Sequence, residues 1–149
     1  MDKKLFTQGE VNRVFDHIPT STLLFWAKNE VITWSGESRD GRGVHRLYSR
    51  EDLYLLGLVE ELTILNLPLI TIKDEVVNPF FHSPTTKSSL WVSGKKHNHI
   101  TLRKIKTGRG DIWTRVHGDP CQENTYPSFI AMIVVDLAEI IKKVETLMF

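Results

Sequence analysis

The first apolar pattern in the chain has helical spacing. Val11 and Phe15 fall on one face of a predicted helix over residues 8–15. Thr7 and Glu10 stand at its start with the spacing of a capping box, in which each side chain accepts a hydrogen bond from the other residue's backbone amide. The pattern therefore predicts a helix that begins directly after Thr7.

A second short helix is predicted over about 20–29. Pro19 ends the first helical pattern, because proline and the residue before it disfavour the interior of a helix. Leu23 and Trp26 then supply apolar positions at helical spacing, after a run of hydroxyl side chains. Two short helices joined by a tight turn make a helix-turn-helix candidate.

Two runs rich in β-branched and aromatic residues, 32–34 and 44–48, predict short strands. The stretch 35–43 between them is polar and rich in glycine, which predicts a flexible turn. The sequence therefore indicates a hairpin. Its basic side chains lie on or near the tip and are Arg39, Arg42, His45 and Arg46.

A longer helix is predicted after the hairpin. Ser49 and Asp52 repeat the capping pattern, and apolar residues within 53–65 recur at helical spacing. Pro68 ends this helix, and a short fourth helix continues to Val76. We expect residues 1–77 to form one domain.

Residues 78–149 differ in character and are predicted to form a second, β-rich domain. The stretch 78–86 contains two prolines and predicts a linker. Short runs rich in β-branched and aromatic residues then predict strands at 90–92, 100–102 and 112–114.

The last segment of the chain has two interpretations. Its apolar residues fit one continuous helix from 128, because they follow alternating spacings of four and three. The apolar run 133–135 and the potential N-cap Asp136 instead favour a strand over 128–135 followed by a helix over 137–148. We expect the second arrangement, and an α+β fold for the whole chain.

The order of elements over residues 6–77 resembles the winged helix-turn-helix of the MerR family of transcriptional regulators. The resemblance is carried by the segments Phe6-Thr7-Gln8-Gly9-Glu10-Val11, Leu23-Leu24-Phe25-Trp26, 41–53 and 65–69. It implies a dimeric bacterial-type regulator that binds double-stranded DNA. The family usually has an arginine where this chain has Leu24.

The expected DNA contacts come from the second helix and the hairpin, since a recognition helix places its first turn in the major groove. The expected DNA-binding residues are Thr20, Ser21, Thr22, Phe25, Lys28, Arg39, Arg42, His45, Arg46 and Tyr48. In an alternative interpretation, the three hydroxyls at the start of the helix only cap it, and Tyr48 lies at the edge of the core. A protein-interaction or assembly module that keeps the fold without reading DNA is the alternative function.

The C-terminal helix carries more apolar surface than one small sheet needs, and a short helix must pack against something to be stable. We therefore expect a homodimer in which this helix contacts a second chain, with the C-terminal domain also able to receive a small-molecule or protein effector. The alternative is packing on its own chain. The expected dimerisation residues are Leu137, Ile140, Ile141, Val144 and Met148.

The net charge of +1 conceals an uneven distribution. Residues 1–77 carry nine Lys and Arg against twelve Asp and Glu, whereas residues 78–149 carry ten against six. The basic residues of the second half predict a sheet with one basic face, which is either solvated or contacts phosphate or an anionic effector. They are Lys87, Lys95, Lys96, Arg103, Lys104, Lys106, Arg109 and Arg115.

Several classes of protein are disfavoured. No apolar run approaches the roughly 20 residues that span a bilayer, and the N-terminus lacks the apolar core of a secretory signal, so we expect a cytoplasmic protein. No phosphate-binding loop, carboxylate pair or activated nucleophile is recognisable, so we expect no enzyme. The candidate metal ligands include a single thiol, Cys121, which cannot complete a soft-metal site alone, so no metal or other cofactor is expected.

Overall fold

The computed structural model describes residues 4–38, 43–81, 99–115 and 131–148, and over these residues the fold is α+β. The strands are β1 (Phe6–Thr7), β2 (Gly36–Ser38), β3 (His45–Tyr48), β4 (His99–Thr107), β5 (Gly110–Arg115) and β6 (Ala131–Asp136). The helices are α1 (Gln8–Val14), α2 (Thr20–Lys28), α3 (Arg50–Ile64), α4 (Leu69–Ile72), α5 (Asn78–Phe81) and α6 (Leu137–Met148), with a π-helical turn at Lys73–Val77.

Both predicted capping boxes are confirmed. At the start of α1, the Thr7 amide donates to Glu10 Oε2 at 2.8 Å, and the Glu10 amide donates to Thr7 Oγ1 at 3.3 Å. The backbone bond from Thr7 holds the pKa of Glu10 below its ordinary value. At the start of α3, Ser49 and Asp52 exchange the same pair of bonds. These local bonds satisfy amides that a helix start leaves without partners.

The first sheet has the strand order β1-β3-β2 and is antiparallel throughout. The strand that forms the hairpin with β3 is Gly36–Ser38, so the predicted strand at 32–34 is wrong. Ile32 does not lie in a strand but is buried in the core, with 1% of its surface exposed. The apolar side chain at this position therefore reflects burial in the core. Pairing with β3 makes a strand of residues whose own β-propensity is low.

Asp52, in the first turn of α3, is hydrogen-bonded to the segment that precedes β2. Its carboxylate is fully buried and accepts from Thr33 Oγ1 and Ser35 Oγ, each at 2.6 Å. It also accepts from the amide and the hydroxyl of Ser49, each at 2.8 Å. One charged group therefore fixes the chain before β2 to the start of α3.

The helical region after Pro68 is longer than predicted. Leu69–Ile72 is α-helical, Lys73–Val77 forms a π-helical turn, and Asn78–Phe81 is again α-helical. The predicted linker at 78–86 is therefore wrong over 78–81, while 82–86 lies outside the described residues. Pro79 directly follows the π-helical turn, whose last hydrogen bond runs from the Asn78 amide to the Lys73 carbonyl.

The second sheet has the order β5-β4-β6. The expected strand followed by a helix is confirmed from residue 131 onward, because β6 ends at Asp136 and its Oδ1 accepts from the Ala138 amide at 2.8 Å. Since side chains alternate along a strand, Lys104 and Lys106 lie on one face and Arg103 on the other. The predicted single basic face is therefore divided, and the predicted strand at 90–92 lies outside the described residues.

One hydrophobic core includes residues from both halves of the chain. Helix α6 packs on α3 at Gly57, whose Cα lies so near α6 that a Cβ there would stand 2.6 Å from Val144 Cγ2. Tyr54 of α3 donates to Glu145 Oε1 at 2.7 Å beside this contact. The surface that covers the apolar face of α6 is therefore α3 of the same chain.

A buried carboxylate joins three elements of this core. Glu60 of α3 is 7% exposed and is hydrogen-bonded to His17, which lies in the turn between α1 and α2. On its other side Glu60 accepts from Lys143 Nζ of α6 at 3.5 Å, and Lys143 is also bonded to Glu61. Burial opposes the charge of Lys143, but Glu61 and Glu60 together raise its pKa. The turn before α2 is thereby held against α3 and α6.

Candidate nucleic-acid interface

Helix α2 buries one face and exposes the other. Leu23, Trp26 and Ala27 lie in the core. The expected contact residues Thr20, Ser21, Phe25 and Lys28 are exposed, together with Leu24, and Thr22 is half-buried. The five exposed side chains share one face, because residues three and four apart are neighbours on a helix.

The start of α2 has no side-chain cap. Pro19 occupies the N-cap position, where it makes no side-chain hydrogen bond to the helix. The hydroxyls of the first turn therefore follow the N-cap instead of occupying it, and the interpretation that they only cap α2 is not supported. An exposed helix start with free amides suits an anion, because the amides and the helix dipole both favour negative charge.

The basic residues of the hairpin have different surroundings. His45 is exposed, whereas Arg46 is half-buried, with its guanidinium carbon 4.7 Å from the centre of the Trp34 ring. Stacking on an aromatic face restrains a guanidinium, and the Arg46 side chain also interacts with the Tyr48 hydroxyl. Arg39 and Arg42 lie outside the described residues.

Tyr48 belongs to the core. It is 1% exposed, and its hydroxyl donates to Gln8 Oε1 at 2.6 Å. Burial raises the pKa of Tyr48, so the hydroxyl stays protonated. Its single hydrogen is already used within the chain, which favours the core interpretation over a phosphate contact.

Tyr48→Phe is accordingly expected to lower the free energy of unfolding by about 1 kcal/mol, because a part-buried acceptor on Gln8 loses its donor. Urea unfolding followed by tryptophan fluorescence measures this change. Affinity for duplex DNA at fixed salt should stay within experimental error of the wild type. A weaker affinity with unchanged stability would show that the hydroxyl contacts the duplex instead.

The expected dimerisation residues divide into two groups. Leu137, Ile140 and Val144 are buried within one chain, by α3 among other elements. Ile141 and Met148 are half-buried and pack at the edge of the same core. The apolar surface of α6 therefore does not require a second chain, and Leu147, which is 42% exposed, is the most open large apolar residue of the helix.

Two large apolar side chains lie on the exposed face of α2, and the sequence singled out only one of them as a DNA contact. Leu24 and Phe25 are 45% and 53% exposed, which places two large apolar side chains in the middle of the α2 surface. Phe25 was an expected backbone contact, but Leu24 was noted only as a replaced arginine. A helical projection shows this pair, since Leu23, Trp26 and Ala27 occupy the opposite face.

An open pocket of about 340 Å³ lies where α3, β6 and α6 meet, with Leu65, Val134 and Ile140 among its lining residues. Charged side chains, including the Glu61–Lys143 pair, also line it. Within the described ranges, no cluster of three or more His, Cys, Asp or Glu residues is placed to hold a metal ion. Cys121 lies outside those ranges.

The described helices are all too short or too polar to cross a bilayer. No protein-family model matches the sequence, and no curated protein matches it either.

Proposed function

We propose that this chain binds double-stranded DNA as a transcriptional regulator, with residues 6–77 acting as a MerR-like winged helix-turn-helix. The observation that carries the proposal is the exposed face of α2, which begins at a helix start without a side-chain cap and ends at Lys28. Helix α2 contains no acidic residue, although residues 1–77 as a whole are acidic. The proposed recognition surface therefore lacks acidic side chains that would repel the phosphates of DNA.

The phosphate contacts follow from the chemistry of these groups. Thr20 and Ser21 present hydroxyls and backbone amides at the first turn, and such groups bind phosphate oxygens without reading sequence. The β2–β3 hairpin is the proposed wing, and Arg46 is the residue of the wing that we propose to bind phosphate. Stacking on Trp34 limits the motion of Arg46, so binding costs it less side-chain entropy.

Lys28→Ala and Arg46→Ala are each expected to weaken duplex binding by about 1–3 kcal/mol. Each should also flatten the slope of log K against log salt by roughly one unit, because one fewer counterion is released. Fluorescence anisotropy with a labelled duplex at several salt concentrations measures both quantities.

Lys142→Ala is the matched control, since this lysine of α6 has 76% of its side chain exposed and belongs to no proposed contact. It should leave affinity and salt slope close to the wild-type values. Equal effects of all three substitutions would mean that the binding depends only on the general positive charge of the protein. No effect of Lys28→Ala or Arg46→Ala in folded protein would contradict the proposed surface.

A second candidate function is that of a protein-interaction module. The specific observation that favours it is the exposed pair Leu24 and Phe25, because apolar side chains at the centre of a surface often mark a protein contact. Under this alternative the chain would show no salt-dependent affinity for duplex DNA. The titration described above therefore separates the two functions.

Dimerisation and effector binding remain predictions within this proposal. With Leu137, Ile140 and Val144 buried inside one chain, a dimer contact on α6 would use Ile141, Leu147 and Met148. The open pocket at the junction of α3, β6 and α6 is the candidate effector site. A cytoplasmic location agrees with the proposed role as a DNA-binding regulator.

A further inference from the structure

Leu24 and Phe25 lie in the middle of the exposed face of α2. They stand one turn after Ser21 and one turn before Lys28, on the same exposed face. In the proposed function the hydroxyls, the backbone amides and Lys28 bind phosphates, which leaves this apolar pair without a role. Its exposure is 45% at Leu24 and 53% at Phe25.

The side chains of α2 include only one residue of the types that commonly read bases through paired hydrogen bonds, Lys28, which the proposed function assigns to phosphate. Guanine is usually read by arginine or lysine and adenine by asparagine or glutamine, each through two parallel hydrogen bonds. From Thr20 to Lys28 the sequence contains no arginine, asparagine or glutamine. Asn29 follows the helix, and its side-chain amide donates back to the Phe25 carbonyl at 2.8 Å.

One apolar group remains on the base edges of the major groove, the 5-methyl group of thymine. A leucine and a phenylalanine side by side provide apolar surface for such methyl groups. The face also fits DNA in charge, since it has no acid and carries Lys28 at its end. An apolar pair between phosphate-binding groups suits the major groove better than a protein partner.

We infer that Leu24 and Phe25 contact the 5-methyl groups of pyrimidines in the major groove, so that the chain prefers thymine-containing duplexes. This inference rests on the proposed function and names the base feature that the same site would recognise. Cytosine methylated at carbon 5 carries the same methyl group in the same groove. It should therefore strengthen binding to G·C duplexes.

The test compares duplexes that differ by methyl groups alone. Alternating A·T duplexes of roughly 30 base pairs, about three helical turns, are made with thymidine or with deoxyuridine. Alternating G·C duplexes of the same length are made with cytosine or 5-methylcytosine. The wild-type chain should bind the methylated member of each pair more tightly, by roughly fourfold for each methyl group that is buried.

The variant with both Leu24→Ala and Phe25→Ala should bind the two members of each pair equally. Its salt slope should match that of the wild type, because the phosphate contacts are intact. Ile70→Ala is the control, since Ile70 is 64% exposed on α4 and its removal should leave the methyl preference unchanged. Circular dichroism of each variant establishes that the fold is retained.

The outcomes separate this inference from the proposed function. Salt-dependent binding with no preference for methylated duplexes would overturn the inference and leave duplex binding standing. A preference that persists in the double variant would assign methyl recognition to other side chains and would also overturn it. Absence of salt-dependent binding by the wild type would overturn the proposed function, and loss of self-association in the double variant would then assign the face to a second copy of the chain.

Discussion

Asp52→Ala is expected to lower the free energy of unfolding by about 3–5 kcal/mol. The carboxylate is fully buried and accepts hydrogen bonds from Thr33, Ser35 and Ser49. Each hydrogen bond to a buried charge is worth about 1.5–3 kcal/mol, and removal of the acceptor leaves its donors unsatisfied. Because domains are commonly stable by about 5–15 kcal/mol, the loss should shift the urea midpoint strongly.

Glu51→Ala is the control for this substitution. Glu51 is also acidic, lies in the first turn of the same helix and is half-buried. Its removal should cost less than about 1 kcal/mol, the value of a favourable helix-dipole contact. If the two substitutions had equal effects, Asp52 would matter only through its charge near the helix start, and its bonds to the hairpin entry would contribute nothing.

Gly57→Ala is expected to destabilise the chain although alanine is the better helix former. A Cβ at this position would stand 2.6 Å from Val144 Cγ2 and 3.5 Å from Ile140 Cγ2. Over-packing of this kind costs about 1–3 kcal/mol, against a gain of about 1 kcal/mol from helix propensity. The same change at Gly9 of α1, where a Cβ meets nothing nearer than 4.0 Å, should be neutral or stabilising.

A double-mutant cycle attributes this cost to the contact between α3 and α6. Val144→Ala alone should cost about 2–3 kcal/mol through the cavity it creates. Combined with Gly57→Ala it should cost less than the sum of the two, by about 1–2 kcal/mol, because the alanine methyl fills space that valine leaves. Strictly additive effects in chemical denaturation would mean that α6 does not pack at Gly57.

Short-range patterns in the sequence predicted the local structure well. The pairs Thr7 with Glu10 and Ser49 with Asp52 mark the starts of α1 and α3, and Asp136 marks the boundary between β6 and α6. Each of these signals works within three residues, so no distant part of the chain is needed to complete it. The start of α2 belongs to the same class, since Pro19 occupies its N-cap position.

Pairing and packing between distant segments could not be predicted in this way. Residues 36–38 form a strand because β3 lies beside them. Tyr48 is buried, and Gln8, which is 40 residues away in the sequence, accepts a hydrogen bond from its hydroxyl. At the candidate site, the sequence supplied the hydroxyls and Lys28, while burial of the opposite face of α2 brought Leu24 to the surface beside Phe25.

The sequence by itself determined where α1, α3 and α6 begin and which half of the chain is acidic, because both depend on residue identity and near neighbours. Only the tertiary structure decided what covers α6. Its apolar face suggested a second chain, yet the absence of a side chain at Gly57 lets α3 of the same chain approach closely enough to bury Val144. The helical spacing of apolar residues indicates that one face of α6 must be buried. Which surface buries that face depends on the shapes of segments that are far apart in the sequence and on the distance between them.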